Sequence, residues 1–567
     1  MAKIIRPKAN LKENFKFTKI ELENLSKKIT DLKISKPLNL EKFAFAVKHI
    51  NPNALIPVSR LPEDVQATLA SLKNETKRFH GAKITLNWFP FPMRSSPCND
   101  KFGYLTSNTV RQSSKLDMNP VTVNLLNQLG GMMGDPGRDV GADSNIPAGY
   151  TYFGQFVDHD ITLDVSSDIN NATNAASINN MRTPTLELDN IYGRGPALSP
   201  YLYVFPSIGP STAIKLKLGK NTNAGRGGPS TNGGGINGMV IKNDADVPRI
   251  DGTNTAIIGD PRNDENLFVA QFQMAMLKFH NKVVDIVVAS GFTGDIFVES
   301  KKIVTHHYQW AVVNDFLKRI CGASVVSNSL TSVAAPVGSS FSMPVEFSVG
   351  AYRFGHSLIR ERYWINHNFI NQPLSDAFNF IRNPNLPVLS NWAVDFNAFF
   401  QTGVNVPVFN FARKIDSLLA NGLENLPGGS GIMAMLAARN LRRGLAFGLP
   451  SGQATATALG ITPLTSAQLT SGLPANEIAL LNSNGGLLLN KTPLWYYILR
   501  EAAVLSNGNS LGPLGAKIVA DTFVKILKRD SESYLNKVGG FTPFLPSDVL
   551  GDFTVTDIIK LSEVNIP

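Results

Sequence analysis

The chemistry available to this 567-residue chain is concentrated in three short polar clusters. Its histidines are His49, His80, His159, His280, His306, His307, His356 and His367. An imidazole titrates near neutrality, so it can carry a proton or ligate a metal. Two of the eight sit in dense polar clusters within apolar surroundings: Gln155-Phe156-Val157-Asp158-His159-Asp160 and Tyr352-Arg353-Phe354-Gly355-His356-Ser357. A third cluster, Gly259-Asp260-Pro261-Arg262-Asn263-Asp264-Glu265-Asn266, has no histidine and stands at the head of a long periodic stretch. An arginine among carboxylates at a helix start usually serves as a cap or an ion pair, so each cluster alone decides nothing. His280 and His307 fall in periodic segments and read as packing residues, as do His49, His80, His306 and His367.

The elements that must position these clusters read as helices. Apolar residues make up 43% of the chain and charged residues 17%, with 46 Gly and 34 Pro. That composition excludes a disordered, collagen-like or coiled-coil chain and leaves a core large enough to bury a cofactor. Between Glu265 and Ser290, Leu267, Ala270, Met274, Leu277, Asn281, Val284 and Val288 recur at helical spacing, with Asp264 and Glu265 placing acid at the start. Glu299–Ile320, FSVGAYRFGHSLIRERYWI, Met433–Phe447, Thr492–Ser506 and GPLGAKIVADTFVKILKR repeat the pattern. The expected fold is mainly α: one large domain over residues 96–567, with long irregular loops and little β, after a Lys-rich extension over residues 1–95. Gly and Asp accumulate at 115–165, which reads as long loops around a short helix, and residues 219–252 read as an exposed connection.

The net charge of +10 favours anionic partners, but much of it lies in the first forty residues, where KFTKIELENLSKKITDLKISK mixes Lys with Glu and Asp and reads as a solvated amphipathic helix. It lacks the arginine and aromatic clustering of a nucleic-acid arm, so no nucleic-acid partner is expected. Cys98 and Cys321 are the only cysteines, which leaves no disulfide framework or CxxC metal clip and suggests inert thiols. No signal-peptide pattern or membrane-spanning apolar run is present, so a cytoplasmic location is the default expectation. The oligomeric state stays open.

In order along the chain, GQFVDHDITLD, TPTLELDNIYGRGP, GDPRNDENL, EFSVGAYRFGHSLIR and ARNLRRGLAFGLPSG resemble the motifs of the animal-type haem peroxidase superfamily in its bacterial form. The resemblance covers about residues 115–560. It implies haem b, with hydrogen peroxide and a small-molecule or halide donor as reaction partners. It puts the distal base on His159, the distal arginine on Arg262, and the glutamine that bonds a distal water or halide on Gln155. His356 matches the proximal iron ligand and Asn440 the acceptor for its other nitrogen, while Arg353 and Arg443 match positions that pair with haem propionates. Asp158 and Glu265 match positions that esterify haem methyl groups in many animal members, and Asn266 excludes a sulfur link at its position. A Ca²⁺ loop is implied at Asp160, Thr183, Thr185 (main chain), Glu187 and Asp189, although Glu187 and Asp189 replace the more familiar Asp and Ser.

The chemistry is consistent with those assignments. Heterolysis of peroxide needs one group to take a proton from the inner oxygen and return it to the departing one, and an imidazole does both. A fixed guanidinium stabilises charge on the leaving oxygen. Two alternatives compete. The superfamily's fatty-acid dioxygenase and cyclooxygenase branches place a tyrosine three residues before the proximal histidine; here that residue is Arg353, with Tyr352 one residue further away. A haem-free binding or adhesion protein on the same scaffold would be expected to lose His159, Arg262 or His356, and all three are present. A zinc or non-haem iron hydrolase lacks its HExxH or facial ligand set.

Overall fold

The computed structural model describes residues 101–134, 143–205, 214–221, 246–336, 341–382, 387–426 and 431–564, together with four short strands before residue 90. The chain divides into two compact units, residues 1–78 with 83–89, and residues 79–82 with 90–567. In the first, Lys16–Phe17 pairs antiparallel with Ile56–Pro57. Lys16–Phe17, expected to open a Lys-rich helix, is strand instead, and the rest of that helix, His49, His80, Cys98 and most of the 219–252 connection lie outside the described residues.

The second unit is mainly α, as its periodicity indicates. Its principal helices are α1 (Pro120–Met132), α2 (Gly149–Ile161), α3 (Leu267–Ala289), α4 (Ile296–Ala311), α5 (Leu436–Ala446), α6 (Leu494–Ser506) and α7 (Pro513–Arg529). Strands among the described residues occur as two-stranded pieces, such as Asp143–Pro147 against Phe411–Arg413. No helix of the described residues is long and apolar enough to cross a membrane.

The 115–165 region is more helical than its Gly and Asp content suggested. Asn119 accepts from Thr122 N to cap α1, with Pro120 in the first turn. Gly130 lies within α1 because a Cβ there would come 2.6 Å from the main chain of Ala438; the glycine lets α1 pack directly on α5. α2 is stabilised by Tyr150, Phe153, Phe156, Val157 and Ile161, all buried at helical spacing.

α3 starts two residues later than its acidic head suggested. Pro261–Asp264 forms a separate 3₁₀ turn capped by Asp260, and Asn266 then caps α3 by accepting from Val269 N at 3.0 Å. The first half of α3 is buried all round, Gln271 and Gln273 included, while Val288 is half exposed. Asn281 bonds both main-chain groups of Leu216.

The segment carrying His356 departs from the α-helical expectation. A π turn over Glu346–Gly350 runs into a 3₁₀ helix over Ala351–His356. Gly350 at the junction has φ −113° and ψ −91°, and buried Glu346 anchors the turn by accepting from Leu105 N, Thr106 N and Thr106 Oγ1. With three residues per 3₁₀ turn, side chains at i and i+3 share one side, which puts Arg353 and His356 on the same face of the turn. α4 likewise gives way to a π turn, Val312–Leu317.

Candidate active site

A cavity lies between α2 and the His356 segment. One α2 face supplies Thr151, Tyr152, Gln155, Asp158 and His159, residues three and four apart and therefore on one side of the helix. Glu265 and Asn266 adjoin them: Gln155 Nε2 donates to Glu265 Oε2 at 3.4 Å and Asn266 Nδ2 donates to Gln155 Oε1 at 3.2 Å. Opposite stand Ser348, Tyr352, Arg353, Gly355 and His356, and apolar side chains such as Leu374, Phe378, Leu423 and Leu426 line much of the rest.

His159 is 1% exposed. Burial and the adjacent Arg262 charge pull its pKa from 6.5 down to about 3, so the ring is neutral at ordinary pH. Its Nδ1 lies 2.7 Å from Asn263 Oδ1. Arg262 is equally buried, but it does not line the cavity: Nε and Nη2 donate to Asp260, and Nη2 also donates to the main-chain oxygen of His159 at 3.1 Å. Asp158, half-buried in the cavity wall, accepts from Thr162 Oγ1 at 2.7 Å, and desolvation raises its pKa.

Beyond the cavity, Asn440 on α5 links Arg353 and His356 of the 3₁₀ helix. Arg353 Nη1 donates to Asn440 Oδ1 at 2.9 Å, and Asn440 Nδ2 lies 2.8 Å from His356 Nδ1. Arginine only donates, so the amide oxygen belongs to Arg353 and the amide nitrogen donates to Nδ1. This polarity is the reverse of the acceptor role expected for Asn440. Burial, together with Arg443 and Arg439, pulls the Arg353 pKa down to about 9. Arg443 itself donates to Asp164 at 2.7 Å and to Ser167, so its guanidinium is engaged away from the cavity wall.

His159 and Asp160 are neighbours, and the helical turn points them in different directions. Asp160 faces the 183–189 loop, where Oδ2 accepts from Leu188 N and Tyr308 Oη while Oδ1 is buried without a hydrogen-bond partner. Thr185 Oγ1 is also buried and unpartnered. Leu188 holds φ +61°, a left-handed conformation rare for leucine. Burial and repulsion from Asp189 and Glu187 raise the Asp160 pKa well above the carboxylate range, and Asp189 is raised to about 6. Among the described residues no trio of His, Cys, Asp or Glu side chains converges as a metal cluster, so a cation here would draw on hydroxyl and main-chain oxygens as well. Arg182, wholly buried, bridges the two regions: Nη1 donates to Asp189 at 3.0 Å, and Nη2 donates to Gly259 O and pairs with Asp260.

Residues 171–559 match the model of the animal haem peroxidase family. The chain belongs to that family. A peroxidase-like protein of Margaritifera margaritifera is 30% identical over 224 residues, 34% of this chain and 26% of its own length. Peroxinectin A of Dictyostelium discoideum is 25% identical over 238 residues, 40% of this chain and 41% of its own. The chain thus aligns with less than half the length of these relatives. Among solved structures, Peroxidase A of Dictyostelium discoideum superposes with TM-score 0.56 at 16% identity, covering 87% of this chain and 98% of that one. The Oryza sativa fatty acid alpha-dioxygenase superposes with TM-score 0.52 at 13% identity, covering 96% and 91%; both likenesses show the fold alone.

The family match begins after α2, so the placement of Gln155, Asp158, His159 and Asp160 rests on the geometry above. The other described histidines are tied into the haem peroxidase scaffold. His280 lies 3.0 Å from Tyr192 Oη, His306 meets Glu532 O, His307 accepts from Phe544 N and Leu545 N, and His367 packs on Trp364. Sequence reasoning missed Arg182, Asn263 and Gln273. The signal for Arg182 was the surplus of acid in the neighbouring motifs, which a buried site must neutralise.

Proposed function

We propose that this chain is a haem-dependent peroxidase that reduces hydrogen peroxide while oxidising an organic donor or halide, with its catalytic domain beginning near residue 96. The observation that carries the reading is the cavity itself, with buried His159 on one wall and His356 on the other. The residues present fit a haem. Arg353 is a buried guanidinium whose hydrogen bonds go to neutral acceptors, Ser348 O and Asn440 Oδ1, and its depressed pKa marks a place short of negative charge that a propionate would supply. Bound haem would supply the redox chemistry, accepting the oxidising power of peroxide and passing it to the donor.

The chain's own residues do the rest. His159 Nε2 takes the proton of the attacking oxygen and returns it to the departing one, and the Arg262 charge, held outside the cavity by Asp260 instead of facing the leaving oxygen as expected, keeps that imidazole neutral. Gln155 would hold a water or halide beside them. Asp158 and Glu265 stand in the cavity wall, where ester links to haem would form. His356 would hold the iron, and a ligating Nε2 needs its lone pair. That requires the ring proton on Nδ1, an Asn440 amide turned over to accept it, and Arg353 released to an anionic partner such as a propionate.

We also propose a Ca²⁺ at Asp160, Thr183, Thr185, Glu187 and Asp189. Asp189 and Glu187 crowd Asp160 with like charge, which a divalent cation would relieve, and the unpartnered Asp160 Oδ1 and Thr185 Oγ1 are hard oxygen donors.

A second reading, a fatty-acid dioxygenase, is favoured by Tyr352. It lines the cavity, donates to Gly154 O at 3.2 Å and packs on Phe347 and Phe523. The test is haem titration of wild type and His356→Ala. The peroxidase reading expects a Soret band in wild type that is lost or strongly weakened in the variant; equal spectra would contradict His356 as the ligand. Oxygen uptake with a polyunsaturated fatty acid, abolished in Tyr352→Phe, would favour the second reading.

A further inference from the structure

A chain of buried amides assigns the ring proton of His159. His159 Nδ1 lies 2.7 Å from Asn263 Oδ1, Asn263 Nδ2 donates to Gln273 Oε1 at 2.7 Å, and Gln273 Nε2 donates to the main-chain oxygen of Asn190 at 3.4 Å. A main-chain carbonyl can only accept. That last link orients Gln273, Gln273 orients Asn263, and Asn263 presents the imidazole with an oxygen, which can only accept.

We propose that Asn263 and Gln273 are positioning residues of the peroxide reaction, holding the ring proton of His159 on Nδ1 so that Nε2 is the nitrogen that exchanges a proton with the cavity. The catalytic part rests on the peroxidase reading of the cavity. Turning both amides over would oppose the Gln273 and Asn190 oxygens in a fully buried place and offer an NH₂ group to Nδ1. The ring proton would then sit on Nε2, where it blocks acceptance.

The relay is closed as well as directional. Asn263, Gln273 and Asn190 are each 0% exposed, so no solvent competes for their bonds. Asn190 in turn donates from Nδ2 to Phe156 O on α2, the helix that carries His159. The circuit joins α2, the 3₁₀ turn that holds Arg262, α3 and the short helix Asp189–Tyr192. Orienting a catalytic imidazole by a fixed acceptor on its other nitrogen is a general requirement of acid–base catalysis, and here side-chain amides meet it.

Two measurements test this. In the full-length chain without haem, ¹⁵N-histidine NMR reads the tautomer directly, with the His159 signals identified by their loss in His159→Gln. Wild type should show a protonated Nδ1, and Asn263→Leu should move the proton toward Nε2. In haem-loaded protein mixed with peroxide, Asn263→Leu should slow the Soret change about 100-fold, the scale of one proton-transfer catalyst, with haem retained. Asn263→Asp keeps the accepting oxygen and should restore most of that rate. A proton on Nε2 in wild type, or equal slowing in the Leu and Asp variants, would overturn the assignment. A chain with Nδ1 protonated that binds haem yet never reacts with peroxide would overturn the catalytic role through the reading it rests on.

Discussion

Replacing Asp260 by Asn removes one charge from the middle of a buried network and should unsettle both the fold and the site. Asp260 is wholly buried and accepts from Arg262 N at 2.9 Å, Nε at 3.1 Å and Nη2 at 2.7 Å while pairing with Arg182. An asparagine keeps one accepting oxygen but turns an NH₂ toward guanidinium donors, leaving two buried cations facing each other with less compensation. Breaking a buried pair in this way costs about 3–5 kcal/mol, a large part of the roughly 5–15 kcal/mol by which native folds are stable. Urea denaturation of wild type and Asp260→Asn measures it. Burial alone would raise the Asp260 pKa, but the Arg182 and Arg262 charges overcome burial and hold it well below the carboxylate range. Its contribution is therefore present above the unfolded value of about 3.9 and lost only in stronger acid, so the gap between the two proteins should be constant from pH 7 to 8, above the titration of the neighbouring Asp189 near 6. A loss below about 1 kcal/mol, the level of an exposed ion pair, or a gap that varies across that range, would refute the reasoning.

Three further outcomes are expected. Asn440→Asp, which can only accept, should retain haem by favouring the iron-binding tautomer of His356, whereas Asn440→Leu should weaken retention; haem titration compares them, and the opposite order would count against the proximal assignment. The His159 pKa of about 3, set by burial and Arg262 and opposed by Asp260 and Asn263, keeps the imidazole neutral. Rapid-mixing rates with peroxide should then be flat from pH 8 to 5 and fall only in stronger acid. The same buried neutral ring stabilises the fold fully above pH 6.5 and less as pH falls toward 3; a rate that halves near pH 6.5 would contradict it. Chelation should remove one calcium per chain and lower the melting temperature, and metal analysis that finds no calcium before or after treatment would eliminate the cation site.

Helices whose apolar residues repeat at three- and four-residue spacing were legible, as α4, α6 and α7 demonstrate, because burial on one side leaves that period in the sequence. α1 and α2 were harder to read, since Gly130 looks like a loop residue until Ala438 lies against it. The Glu346–His356 segment has helical periodicity but a backbone that changes from π to 3₁₀, and the anchor that holds it, Glu346 on Thr106, is 240 residues away. Long-range pairing also hid Arg182, which in sequence is one basic residue in a Thr- and Pro-rich loop. The family motifs pointed to His159, Arg262 and His356, but not to the polarity of their hydrogen bonds. That polarity depends on which amide atom faces which partner across four elements, and side-chain type alone does not encode it.

The central claim is that the cavity between His159 and His356 reduces peroxide, and stopped-flow absorbance of the haem-loaded chain against His159→Ala tests it most directly. Wild type should give a rapid Soret change on mixing with hydrogen peroxide, reversed by a phenolic donor or halide. His159→Ala should keep its haem and react slower by about 100-fold or more, as loss of a proton-transfer group requires. Equal rates in the two proteins, or a wild type that binds haem and responds only to a fatty acid with oxygen, would contradict the account.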